Sequence, residues 1–293
     1  MSMSHRPRPA ADQSQALRVS TDPPDFSARL WAEAEAKQSW VCLGLDVLRQ
    51  QLPRSIPHTV EGAGRFLRNI VDASVEDVSA FKPNLPFYLA MGSDGIRLLT
   101  DIIEHIDHRA IVILDGKFGD VSDTMEQYAR AAFDVFDVDA VTVDVYGGWD
   151  TVEPMLVDPT RGVFVWTRSS NPDADAVQGG SQDTDPLFVR LAGEIQSRAE
   201  LGNLGAVVGA TRSDDVRRVR AAAPSVPLLA PGVGAQGGDL EAVVRAGFGE
   251  APAGVLINAG RSALWASADA DYALATRAAV QVLRDRINAV RST

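Results

Sequence analysis

From residue 25 onward the chain alternates short apolar runs with longer segments whose apolar residues recur at helical spacing. The apolar runs predict strands over 40–45, 80–85, 110–114, 140–146, 162–167, 206–209, 227–230 and 254–258. The periodic segments predict helices over 26–36, 60–78, 93–107, 125–136, 188–201, 214–222, 240–246 and 272–290, with a short helix within 147–156. The runs are continuously apolar rather than alternating, as strands buried on both faces must be. Between the fifth strand and the next helix lies a polar stretch rich in Gly and Asp, 172–186.

Strands that alternate with helices imply a parallel sheet with crossover helices. Eight such units in this length predict a closed (β/α)8 barrel over 25–293, a TIM barrel, as a single domain. An open doubly wound sheet is the competing architecture. It calls for a glycine-rich turn after the first strand, where this chain has Asp46. Residues 1–24 are rich in Ser, Arg and Pro and read as a disordered tail.

Composition narrows the function. The formal net charge of -11 over 293 residues, with no long Lys/Arg cluster, argues against a nucleic-acid surface. The single cysteine, Cys42, excludes an intrachain disulfide and sits in an apolar run, where packing is its expected role. No apolar stretch is long enough to cross a bilayer, and the N-terminus lacks a secretory signal. A cytoplasmic protein without nucleic-acid or membrane partners is expected.

Barrel chemistry is carried at the carboxyl ends of the strands. Those ends hold Asp46 on the first strand, Lys82 and Asn84 on the second, and Asp115 and Lys117 on the third. Ser169, Ser170 and Asn171 follow the fifth strand, Gln236 lies in the glycine-rich loop after the seventh, and Arg261 follows the eighth. Residues two apart share a strand face, so Asp115 and Lys117 should point the same way. Asp120 and Thr124 fall past that strand, in the loop and first helical turn. Any one of these charges alone reads as a solvated surface group, and the cluster alone reads as a structural ion-pair network. Convergence of most strands on one mouth favours a site.

The glycines at 232, 234, 237 and 238, the helix beginning near Asp239 and the Arg261 guanidinium together predict a phosphate site. Asp115 and Asp120 beside Lys117 favour its ammonium form. That form suits proton donation or stabilisation of a developing anion, not Schiff-base attack. Lys82, Asp115, Lys117 and Asp120 then make an array of alternating sign.

These residues resemble the orotidine 5′-monophosphate decarboxylase family. The similarity spans residues 40 to 265 and rests on five motifs in family order. They are Leu-Asp-Gly-Lys-Phe-Gly-Asp-Val-Ser-Asp-Thr at 114–124, Phe-Lys-Pro-Asn at 81–84, Ser-Ser-Asn-Pro at 169–172, Pro-Gly-Val-Gly-Ala-Gln-Gly-Gly-Asp at 231–239 and Asn-Ala-Gly-Arg at 258–261. Phe-Lys-Pro-Asn and Ser-Asn-Pro point to the family's longer-chain branch.

The resemblance implies cofactor-free conversion of orotidine 5′-monophosphate (OMP) to UMP and carbon dioxide, by a homodimer with sites at the interface. It implies that Asp46 and Lys82 hold the ribose hydroxyls, with Asn84 nearby and Thr124 from the partner chain. Asp120 likewise serves the partner's site. Ser170 bonds the pyrimidine, Gln236 and Arg261 take the phosphate, and Lys117 protonates the ring carbon. The stretches 172–186 and 231–239 are candidate lids. Val47 and the Asp144-Val145-Tyr146 sequence depart from the family's usual residues, which leaves room for a paralogue acting on a modified nucleotide. Two rivals remain. One is a Mg²⁺-dependent sugar-phosphate decarboxylase or aldolase of the same suprafamily, which needs an acid where Lys82 stands. The other is a barrel that binds nucleotides without turnover.

Overall fold

The computed structural model describes residues 23–180, 184–233, 239–249 and 252–292. Eight parallel strands close into a barrel in chain order. They are β1 (Val41–Gly44), β2 (Ala80–Lys82), β3 (Ile111–Phe118), β4 (Ala140–Val143), β5 (Gly162–Arg168), β6 (Leu204–Val208), β7 (Leu228–Pro231) and β8 (Val255–Ala259). The β8–β1 pairing, with Cys42 opposite Asn258, shuts the cylinder. The (β/α)8 barrel expected from the alternation is the fold, and the open sheet is excluded. Residues 1–22 of the predicted tail lie outside the described residues, and directly after the tail Asp25 caps the helix Phe26–Ala36 by accepting from the Ala28 amide at 2.8 Å.

That helix lies across the amino-terminal end of the barrel. Phe26 meets Phe164 edge to face at 5.8 Å, over the space left by Gly162. The same end holds Arg220, a buried guanidinium that donates to the carbonyls of Ala223, Val226, Gly247 and Gly254. Burial lowers its pKa to about 10. These contacts lie at the face opposite the strand ends and serve the fold.

The structure departs from the expected elements at the site. β3 does not end at Leu114. It runs on through Asp115, Gly116 and Lys117 to Phe118. Its pairing with β4 jumps from Leu114–Val141 to Phe118–Val143, so three residues of β3 stand opposite Thr142 alone. This bulge re-aims the strand end. A short helix absent from the expectation, Leu85–Leu89, follows the Phe-Lys-Pro-Asn stretch. The helix expected over 125–136 begins earlier, as Ser122–Ala129, and continues as a π-helix, Arg130–Val135.

Candidate active site

The carboxyl ends of β1, β2, β3, β7 and β8 surround a cavity of about 250 Å³ lined by Asp46, Lys82, Asn84, Asp115, Asn258 and Arg261 among others. Backbone pairing sets these side chains. The Leu45 amide donates to the Lys82 carbonyl at 3.1 Å, and the Asp115 amide to the Pro83 carbonyl at 2.9 Å. Asn84 and Asp115 form a further parallel bridge past the end of β2. The buried Tyr88 hydroxyl, on the helix Leu85–Leu89, donates to the Leu45 carbonyl at 2.9 Å and so fixes the chain beside Asp46.

Asp115 is the centre of the charge array. Lys82 Nζ lies 2.6 Å from its Oδ2, and Lys117 Nζ lies 2.6 Å from its Oδ1. Thr142 Oγ1 donates to Oδ1 at 2.8 Å. Burial pushes the Asp115 carboxyl up, but Lys82 and Lys117 outweigh it and hold the group far below the usual carboxylate range. Burial works against the Lys82 ammonium, and Asp115 and Asp46 overcome it, so its pKa is raised. Asp46 is different. Burial raises its pKa, and the attraction of Lys82 offsets this only in part.

Asp46 Oδ1 is buried without a hydrogen-bond partner, as is Asn258 Oδ1. Both residues line the cavity. A buried acceptor left unpaired costs free energy, about 1–3 kcal/mol. Two of them on residues that line one cavity suit a ligand that brings hydroxyl or amide donors.

Lys117 reaches Asp115 by a route that strand alternation does not describe. Its φ is 46°, in the left-handed region. The expected contact is present, but the bulge makes it, not the pleat. The ammonium also lies 5.7 Å from the centroid of the Trp166 ring.

The remaining expected residues divide. Arg261, exposed at the start of a short helix, shares the cavity with Asp46 and Lys82. Gly232, at φ 102°, makes a turn there that other residues rarely adopt. Gln236 and the glycines at 234, 237 and 238 lie outside the described residues. Of the expected anion site, the helix Leu240–Gly247 is described, but the loop at 234–238 that leads into it is not. Asp239 Oδ1 accepts from the Ala242 amide at 3.1 Å, which places a carboxylate on that helix end, and Asp239 lines a neighbouring groove instead.

Ser170 is half-buried after β5, its backbone close against Gly209. The neighbouring Ser169 amide donates to Gln178 in the polar stretch at 2.8 Å. Asp120 is exposed, and its Oδ1 accepts from the Val121 amide at 2.7 Å. The expected four-charge array is therefore three charges within one chain, because the bulge ends before Asp120. Thr124 lies in the first turn of the helix Ser122–Ala129. Neither lines the cavity of Asp46 and Arg261, and Lys117 and Ser170 stand beside it rather than in its lining. Asp144 faces a separate hollow of about 580 Å³ with Trp166 and Ser169, and its Oδ1 accepts from the Tyr146 amide at 2.9 Å. Thr142 and Asn258 were not among the expected site residues. Thr142 shows only as a polar residue inside an apolar strand, whereas Asn258 opens the Asn-Ala-Gly-Arg motif without a role assigned to it.

Residues 39–275, from before β1 to beyond β8, match the sequence family described as orotidine 5′-phosphate decarboxylase / HUMPS. The chain is 42% identical over 269 residues to the orotidine 5′-phosphate decarboxylase of Thermomicrobium roseum, covering 91% of this chain and 96% of that one. Among solved structures it resembles the OMP decarboxylase of Leishmania donovani, at 32% identity and a TM-score of 0.79, over 92% of this chain and 99% of that one. It also resembles the UMP synthase of the same organism, at 33% identity and a TM-score of 0.82, and spans 57% of that longer chain. Similarity sustained through every strand that frames the cavity makes this chain a member of the orotidine 5′-phosphate decarboxylase / HUMPS family.

Proposed function

We propose that this protein decarboxylates OMP to UMP and carbon dioxide in pyrimidine nucleotide biosynthesis, without a cofactor. The observation that carries this reading is the Lys82–Asp115–Lys117 array beside the cavity that Arg261 shares. Loss of the carboxylate leaves an electron pair on the ring carbon. A fixed ammonium stabilises that charge as it develops and then delivers its proton. Lys117 takes this role. Lys82 is the more deeply enclosed amine, bound to Asp115 and close to Asp46. Asp115, held ionised by two ammonium groups, keeps both aligned before substrate arrives, which lowers the reorganisation needed in the transition state.

Asp46 and Lys82 receive the ribose hydroxyls, with Asn84 beside them. The unpaired Asp46 Oδ1 supports this assignment. Arg261, with Gln236, takes the phosphate. Ser170 meets the pyrimidine. Binding energy from the phosphate, remote from the reacting carbon, drives closure of the stretches 172–186 and 231–239 over the substrate.

The working form is a homodimer in the cytoplasm, with the barrel domain beginning near residue 25. Asp120 and Thr124 complete the partner's site. Their position on the loop and first helical turn past β3, next to the exposed apolar side chains of Val121 and Tyr128, supports this.

The Mg²⁺-dependent alternative is disfavoured by Lys82, whose ammonium lies 2.6 Å from Asp115 where a cation would need a second acid. The modified-nucleotide alternative draws on Val47 and on Asp144, Val145 and Tyr146; of these, Val47 is buried in the core, and Asp144 lines the separate hollow and bonds its own turn.

The test is a spectrophotometric assay with OMP in the presence of EDTA. Turnover should persist, and binding of UMP without carbon dioxide release from OMP would overturn the reading. Sedimentation measures the assembly. Mixing Lys117→Ala with Asp120→Ala subunits should restore activity that neither variant has alone. No restoration would rule out a shared site.

A further inference from the structure

We infer that Thr142 is a positioning residue, whose hydroxyl holds both the Asp115 carboxylate and the backbone of Lys117. The inference depends on the decarboxylase reading only for its kinetic consequence.

The need for such a residue comes from the strand register. Between the pairs Leu114–Val141 and Phe118–Val143, β3 has three residues and β4 has one. Asp115, Gly116 and Lys117 therefore leave the regular ladder, and the one residue opposite them is Thr142. Lys117 sits at φ 46°, a conformation that costs a non-glycine residue free energy and persists only where its surroundings impose it. Its amide needs an acceptor that the bulged ladder does not provide.

Thr142 Oγ1 supplies one. The Lys117 amide donates to it at 3.0 Å, and its own proton goes to Asp115 Oδ1 at 2.8 Å. One hydroxyl thus acts as acceptor and donor at once. It joins the backbone of the proton donor to the side chain that orients that donor's ammonium. Thr142 is 1% exposed, so water does not replace it. A threonine also suits the place sterically, because a β-branched side chain fits a strand buried in the barrel wall.

The consequence is geometric. With the hydroxyl gone, Asp115 keeps its two ammonium partners but loses the donor that fixes its rotation. Lys117 loses the bond that anchors its turn. The ammonium then samples positions away from the reacting carbon, and kcat falls while ground-state binding, carried by Asp46, Lys82 and Arg261, changes little.

The test compares Thr142→Val, which keeps the shape and removes the hydroxyl, with Thr142→Ser, which keeps the hydroxyl. Thr142→Ala serves as a second deletion should the valine variant fold poorly. Two readouts are needed. The first, amide hydrogen exchange at Lys117 measured by NMR, does not depend on turnover. It should quicken by about tenfold or more in the valine variant, against unchanged exchange at Leu114 and Val143, and return in the serine variant. The second is steady-state kinetics with OMP. The valine variant should lose about 10- to 100-fold in kcat with KM within about threefold, and the serine variant should recover most of it. Unchanged exchange at Lys117 overturns the anchoring role. Faster exchange with wild-type kcat overturns the positioning role. Quickened exchange across the whole barrel would show a general structural role instead and also overturn it. A wild-type protein without OMP turnover would refute the decarboxylase reading, and the exchange measurement would still decide the anchoring.

Discussion

Lys117 turns its backbone to φ 46°, and its ammonium returns to lie 2.6 Å from the carboxylate of Asp115, two residues earlier in the chain. The proposed proton donor and the group that orients it therefore belong to one bulge of one strand. Their relative placement is set by the bulge that β3 makes against β4, where Thr142 holds both. It depends on the turn being kept.

Replacing Lys117 with alanine should remove turnover by about 10³-fold or more, since both the proton and the stabilising charge are lost. The fold should tolerate the change. Asp115 retains Lys82 and Thr142, and the Lys117 side chain is 35% exposed. The check is kcat beside the thermal midpoint. A near-wild-type rate would refute the assignment.

Asp115→Asn should cost stability as well as activity. It leaves the buried Lys82 ammonium with Asp46 as its nearest remaining carboxylate. Breaking a buried pair on one side costs about 3 kcal/mol, which lowers the melting point by roughly 5 °C in a chain of this size. The pH dependence has a definite sign. The Asp115 carboxyl is depressed in the folded protein. Its contribution is therefore fully present above the ordinary value of 3.8 and is lost as pH falls through the lower folded value. The gap in melting point between wild type and variant should stay constant from about pH 8 to 5 and narrow only below about 4. A gap that closes near pH 6 would contradict the assignment of the charge to Asp115.

Arg261→Ala tests the phosphate contact. A guanidinium that binds a phosphate remote from the chemistry contributes to ground state and transition state alike. The variant should raise KM by about 100-fold, with a smaller loss in kcat. A kcat effect larger than the KM effect would place Arg261 in the chemical step instead.

Cys42 offers a test of the barrel interior. It is fully buried on β1, and its thiol is pushed up to about 12, chiefly by burial. Thiolate is the reactive form. The native protein should therefore resist a disulfide reagent at pH 8 and release one equivalent only in guanidinium. Rapid labelling of the native form would contradict the packing.

The alternation of apolar runs with helical periods was enough to establish eight strands and a closed barrel, because strands buried on both faces carry their own signal in local sequence. Placement of Asp46, Lys82, Asp115 and Arg261 at strand ends was legible for the same reason, and closure of the barrel brought all four to one cavity. Tertiary structure alone decided the rest. The bulge in β3 depends on register against β4, and register is a relation between two segments that neither encodes separately. Hence the strand expected to end at Leu114 runs to Phe118, Asp120 leaves the array, and Thr142, one hydroxyl in the run Ala-Val-Thr-Val, becomes the partner of both Asp115 and Lys117. The cap on the helix Leu240–Gly247 was likewise settled by a side-chain rotamer, which composition and spacing leave open.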